Sequence, residues 1–136
     1  MSDIYAQDLL AKIGGIPALP AGFAIGGRVI DPAMTQIPLP AAWILLGDDK
    51  PVDLEMGLVP LMQVTMISYI VMVYVPYTNQ ADLVNVQLPL LRTIRTAIHG
   101  TPSPTVDRWK YEGQRLVLVN TDRLAYEQKY CIRAAL

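Results

Sequence analysis

The 136-residue chain has one cysteine, Cys131, and one histidine, His99. A lone cysteine excludes an internal disulfide and makes a reducing compartment the natural home. Two such residues cannot supply the ligand set of a structural zinc site. A Ser-His-Asp or Cys-His centre would need His99 beside a nucleophile. Its place at the end of a helical pattern points to capping or a dipole role instead. Neither GxGxxG nor GxxxxGK[ST] occurs, so no motif cradles phosphate. The opening MSDIYAQDLL lacks a basic region followed by an apolar run, so no signal peptide is expected. Charge is also scarce, at 17% of residues with a net charge of −1. That balance excludes a strongly electrostatic nucleic-acid binder. With 52% hydrophobic residues the chain is not disordered. Its length suits a single domain spanning 1–136 with a core of its own.

Hydrophobic residues dominate one stretch, LVPLMQVTMISYIVMVYVPY (58–77), which carries no charge. Its length would allow a membrane helix. Residue type argues otherwise. Val64, Thr65, Ile67, Ile70, Val71, Val73 and Val75 are β-branched, and Tyr69 and Tyr74 are aromatic. Such side chains favour a pleated strand. Pro60 and Pro76 bracket the run, and no Lys/Arg cluster flanks it. The expectation is one long strand over 61–75, or two strands joined by a bulge near Ser68. Both faces are apolar from Tyr69 onward, and the length suggests an end that protrudes onto a neighbour.

The remaining elements follow from spacing. Ser2 caps a helix over 3–13, which Gly14-Gly15 ends. Strands are expected at 23–30, interrupted by Gly26-Gly27, and at 41–47. The acidic stretch 48–57 reads as a connector. Leu83, Val86, Leu90, Ile94 and Ala97/Ile98 share a helical face within 79–100, with Pro89 kinking that helix or opening it late. Residues 108–120 read as two strand segments broken at Glu112-Gly113, followed by a turn at 120–122. In 123–134, Leu124, Tyr126, Gln128, Tyr130 and Ile132 alternate with Ala125, Glu127, Lys129, Cys131 and Arg133, giving one buried and one wetter face. The fold class is therefore α+β: a mainly antiparallel sheet with a long central strand or hairpin and helices packed on one face.

Charge is distributed unevenly. Residues 1–78 hold three basic and seven acidic side chains, and residues 79–136 hold eight basic and five acidic. Solvated faces account for such a split, and so do complementary surfaces between copies of the chain. Asp48, Asp49, Asp53 and Glu55 cluster on the connector, and Arg92 and Arg95 lie on the second helix. These six are the candidate subunit interface. The acidic cluster has no EF-hand pattern, so no metal site is assigned to it. No catalytic or cofactor-binding residue is assigned either. Arg108-Trp109-Lys110-Tyr111 interleaves basic and aromatic residues, as a single-strand nucleic-acid platform does, and as an ordinary alternating strand does.

Four features in order carry a resemblance. They are a short N-terminal helix, a long apolar strand near mid-chain, a helix ending IRTAIHG (94–100), and RWKYEGQRLVLVNTDRLAYEQKYCIRA (108–134), a W-x-Y-x-G pattern with two closing strands. Together they resemble the tail terminator proteins of long-tailed bacteriophages, lambda-like and Mu-like versions included. Trp109, Tyr111, Gly113 and the 94–100 segment carry it, and region 14–57 carries none of it residue by residue. The resemblance implies a hexameric ring that caps the tail tube, ends its polymerisation and offers the head its docking surface. It implies a structural protein of the virion's head-proximal tail, assembled in the host cytoplasm, with no catalytic residues and no cofactor. Its partners would be other copies of itself, the tail tube protein and a head-tail connector or stopper, with DNA passing through the lumen unread. A head-tail stopper is the alternative within this class. A small ligand-binding dimer or enzyme, with an apolar pocket between helix and sheet, is the alternative outside it. A membrane protein is the last.

Overall fold

The computed structural model describes residues 4–16, 23–25, 40–51, 64–77, 79, 81–105, 107–119 and 123–135. Helix α1 spans Ile4–Gly14, and strands β1, β2 and β3 span Phe23–Ile25, Ala41–Pro51 and Val64–Pro76. A π-helical turn at Leu83–Gln87 leads into α2 (Leu88–Ile98), and β4 (Lys110–Val119) and β5 (Arg123–Ala135) close the chain. The five strands form one sheet in the order β1-β2-β3-β5-β4. Only β1 runs parallel to its neighbour, and the other pairings are antiparallel. The fold is α+β, as the alternating patterns require. The Ser2 cap, Gly26-Gly27 and the 120–122 turn lie outside the described residues.

The described part of the uncharged stretch, Val64–Pro76, is the central strand of this sheet. Val64–Pro76 pairs with β5 along its whole length, and Thr65–Tyr74 pairs with β2. Among the described residues, no helix is long and apolar enough to cross a membrane. The strand is continuous, and no part of it from Val64 to Pro76 protrudes beyond its partner β5. The expected bulge near Ser68 lies on β2 instead, between Leu46 and Asp49, which pair with Tyr69 and Ile67. Gly47 explains the location. A Cβ there would come within 3.0 Å of the Ser68 carbonyl oxygen, so only glycine lets the two backbones approach. Beyond the bulge β2 resumes pairing through Pro51, so 48–51 is strand and not connector. A waiting partner strand overrides the poor strand propensity of Asp-Asp-Lys-Pro.

Cross-strand pairing sorts the side chains into two layers. Ala42 and Ile44, the odd-numbered residues Ile67–Val75, and the even-numbered residues Leu124–Ile132 share the face under the helices. Ala6, Leu9 and Ile13 of α1 and Leu90, Leu91, Ile94 and Ile98 of α2 bury against it. The other face has a smaller apolar cluster of Ala41, Tyr74 and Ala125, with half-buried Trp43 and Met72 against it. Cys131 is buried there too, while Glu127 and Lys129 are half-buried and Arg133 is exposed. That face is mixed, as the alternation of 123–134 requires.

The second helix departs from simple periodicity. The Leu88 N–H bonds to the Leu83 carbonyl, five residues back, and Pro89 occupies the first turn of α2, where its missing N–H costs least. The wider turn changes the phase of the apolar stripe. Gln87 goes inside with no exposure, while Leu83 is 42% and Val84 65% exposed. The buried Gln87 amide is satisfied by donating to the Pro76 carbonyl (3.1 Å) and accepting from the Tyr126 hydroxyl (3.4 Å).

Candidate subunit interface

Trp109 is the hub that fixes the basic half of the sheet. It is 1% exposed, and its indole N–H donates to the Asp8 carboxylate at 2.8 Å. Tyr5 and Tyr69 meet it edge-on at 6.3 and 5.7 Å. Lys12 pairs with the same carboxylate at 3.2 Å and donates to the Pro102 carbonyl at 3.0 Å. So α1, β3 and the α2–β4 loop meet at one side chain. Its burial removes the nucleic-acid platform reading of 108–111, because a stacking surface must be open to bases.

Tyr111 and Gly113 follow on the same strand. The Arg95 guanidinium lies 4.3 Å from the centre of the Tyr111 ring. The Tyr111 N–H donates to His99 Nδ1 at 3.0 Å, so the only histidine caps α2 and binds the start of β4. Gly113 has φ +138°, and the β4–β5 register shifts between Tyr111 and Gly113. A residue with a side chain is strained in that backbone region. The expected Glu112-Gly113 break is this bulge, and β4 runs through it as one strand.

Behind Tyr111, Gln128 ties α2 to the sheet. Its amide N–H donates to the Leu91 carbonyl (3.0 Å) and to Gln114 Oε1 (2.9 Å), and its oxygen accepts from the Tyr130 hydroxyl (2.8 Å). Burial, reinforced by Tyr111 and opposed by Arg95, raises the Tyr130 pKa far above the ordinary phenol value. Tyr130 therefore acts as a neutral donor. Burial and then the neighbouring Glu112 push the Cys131 thiol up to about 12, which removes any nucleophilic thiolate at neutral pH.

The six candidate interface residues fall into three places. Asp48 lies within the β2 bulge, and Asp49 resumes the pairing opposite Ile67. Asp53 and Glu55 lie outside the described residues. Arg92 and Arg95 are exposed on α2. Helix α1 packs with β1 and β2, and α2 packs with β4. The charge split of the sequence does not map simply onto the sheet: Asp8 is bound to Trp109 and Lys12, Asp3, Asp31, Asp53 and Glu55 lie outside the described residues, and Asp48 and Asp49 alone of the seven acidic residues of 1–78 lie on β1–β3. The acidic half of the chain supplies β1, β2 and β3, and the basic half supplies β5 and β4.

Sequence periodicity missed the exposed apolar residues. Leu46 is 68% exposed beside the β2 bulge, and Leu116, Val117 and Val119 are 48%, 38% and 68% exposed on β4. The apolar run LVLV reads as a core strand until its place at the sheet edge is known. Two surface depressions accompany β4. One of about 320 Å³ is lined by Glu112, Gly113, Gln114, Arg115, Glu127 and Lys129. One of about 210 Å³ is lined by Met66, Asp107, Arg108, Lys110, Cys131 and Arg133. Both are lined mainly by polar and charged residues, unlike an apolar ligand pocket between helix and sheet. Among the described residues, no group of three or more His, Cys, Asp and Glu side chains is placed to hold a metal ion.

The sequence matches no protein-family model, and no curated protein matches it.

Proposed function

We propose that the chain is a structural ring subunit of a phage tail, which caps the tail tube and presents a joining surface to the head. One observation carries the reading. The two segments on which the resemblance rests, 94–100 and 109–113, meet in space as a single unit. Arg95 covers Tyr111, His99 accepts from the Tyr111 N–H, and the Gly100 N–H donates to the Trp109 carbonyl at 2.8 Å. Each residue of W-x-Y-x-G has a structural task there: Trp109 is the hub, Tyr111 the cation's platform and Gly113 the bulge. These are structural roles for the three residues that carry the resemblance. A ring also needs two different surfaces that fit head to tail, and the uneven charge of residues 1–78 and 79–136 is an asymmetry such surfaces can use. The chain's function under this reading is mechanical, ending tube growth and passing DNA through a lumen without reading it. The other tail-completion role, a head-tail stopper, uses the same kind of subunit.

The test is tube growth. Added to polymerising tail tube protein, the chain should end elongation and leave a ring at one end, seen as a shorter length distribution by negative-stain microscopy. Unchanged tube length and uncapped ends at saturating chain would refute the terminator role.

A further inference from the structure

Strand β4 is the last of the sheet, and the loop after α2 covers only its beginning. The Gly100 N–H donates to the Trp109 carbonyl, the Trp109 N–H to the Thr101 carbonyl (3.0 Å), and the Tyr111 N–H to His99. From Glu112 to Val119, no described group outside β5 bonds to the backbone. Exposure shows the open edge directly. Glu112, Gln114, Arg115, Leu116, Val117 and Val119 are all exposed. Successive residues of a strand point to opposite faces, so both sides of this edge reach solvent. A Cβ built on Gly113 would meet nothing within 4 Å. The open stretch has two chemical halves. Its end is apolar, with Leu116, Val117 and Val119 at 48%, 38% and 68% exposure. Its beginning borders the two depressions, whose linings hold five basic side chains and three acidic ones. The acids are engaged. Asp107 accepts from the Arg133 N–H at 2.9 Å, Glu112 from the Cys131 thiol, and Glu127 pairs with Arg115 at 3.3 Å. Among the described residues, the side chains of Lys110, Lys129 and Arg133 have no ionic partner. An open apolar edge is a template for another strand, which proteins usually blunt or cover.

We propose that β4 takes up an extended segment of a partner protein as an added strand, apolar where it faces Leu116–Val119 and acidic where it faces Glu112–Arg115. The inference goes beyond the ring reading and does not depend on it. Three features define the guest. The first is length. Tyr111 is already bonded to His99, and β4 ends at Val119, so the footprint is the eight residues from Glu112 to Val119. The second is direction. Antiparallel addition continues the alternation of β3, β5 and β4, so the guest reads apolar first and acidic after. The third is charge. Gly113 leaves its backbone bare beside the depression of about 320 Å³, and Lys129 lies opposite it on β5. A carboxylate placed there gains the unpaired ammonium of Lys129. Arg115 stands next to it, with its side chain 73% exposed and only a surface pair to Glu127. Main-chain bonds would supply affinity, and this depression the choice of side chain. A nucleic acid would use the cations and leave the three apolar side chains in water. An apolar strand would leave the cations unpaired. A segment that is apolar and then acidic answers both halves of the edge.

Amide hydrogen exchange with a peptide probe tests this. The probe is Val-Thr-Val-Thr-Asp-Ser-Asp-Ser, blocked at both ends. Antiparallel docking sets its valines opposite Val119 and Val117 and its aspartates opposite Arg115 and Gly113. The control peptide has lysine in place of each aspartate. In the free chain, alternate amides between Glu112 and Val119 should exchange fast at every chain concentration. Saturating probe should slow them about tenfold or more. The lysine control should bind about tenfold more weakly, and so should the probe with the Lys129→Gln chain, which keeps a polar side chain at that position. Val117→Lys with Val119→Lys should abolish the protection while circular dichroism and the melting profile stay native. Failure of the acidic probe to protect β4 overturns the proposal. Equal binding of the two peptides overturns it as well. So does slow exchange of these amides in the free chain: independent of concentration, it shows the edge covered by the chain itself, and rising with concentration, it shows a second copy there.

Discussion

Removing the Asp8 carboxylate probes the hub on which the two halves of the fold converge. In Asp8→Ala the Trp109 indole N–H stays buried and loses its acceptor at 2.8 Å, and Lys12 loses its partner at 3.2 Å. A hydrogen bond to a charged group contributes about 1.5–3 kcal/mol, and an abandoned buried donor costs its desolvation. The Lys12 pair is partly exposed and adds little. The expected loss is about 2 kcal/mol. With an unfolding entropy of about 2.1 cal/mol/K per residue over 136 residues, that lowers Tm by about 7 °C. Asp8→Asn retains an acceptor oxygen and should recover more than half of the loss. Trp109→Phe removes the donor, so Asp8→Ala in that background should cost about 0.5 kcal/mol or less. Urea melts followed by circular dichroism measure all four variants, and the double-mutant cycle isolates the pair. A coupling below about 0.5 kcal/mol would refute the claim that this bond joins α1 to the sheet.

Four further outcomes follow from the same geometry. Gly47→Val should destabilise by about 1–3 kcal/mol through the backbone clash with Ser68, and an unchanged melt would show that the β2 bulge relaxes freely. Trp43→Phe removes an indole N–H that is buried with no described hydrogen-bond partner, so its stability should be unchanged or raised by up to about 1 kcal/mol; a loss above about 2 kcal/mol would reveal a partner. The Cys131 pKa is raised on folding, so the stability it contributes is full below about pH 9 and declines as pH rises toward 12. Its limiting slope is about 1.4 kcal/mol per pH unit; alkylation at pH 8 should wait for unfolding, and rapid labelling of the native chain would contradict the burial. Reversing Asp48, Asp49 and Asp53 to Lys should weaken self-assembly with the monomer still folded, and unchanged assembly would exclude the acidic segment from the interface.

Much of the fold was legible because local and tertiary signals agree. Residues 123–134 alternate along one strand, and the alternation matches the two faces of β5. β-branched density made 64–76 a strand despite its membrane-like composition. Where the reading failed, tertiary structure supplied what sequence could not. Asp48 and Asp49 look like loop residues until β3 is placed beside them. Of the two readings of the uncharged run, the single long strand holds for Val64–Pro76, and the bulge level with Ser68 is on the partner strand, where Gly47 permits it. Regular α-helical spacing puts Leu83 on a buried face, and the π turn rotates it outward. In the candidate interface, the uneven charge is visible in the sequence, and the commitment of Asp8 to Trp109 and Lys12 is not. The exposure of Leu46, Leu116, Val117 and Val119 is unreadable in the sequence, because nothing in an apolar run says which strand will be at an edge.

The most direct measurement is native mass spectrometry of the purified chain, alone and mixed with tail tube protein. The ring account predicts a species of six chains, present either from the outset or on addition of tube protein. A stable dimer of unchanged mass in the presence of tube protein would contradict it.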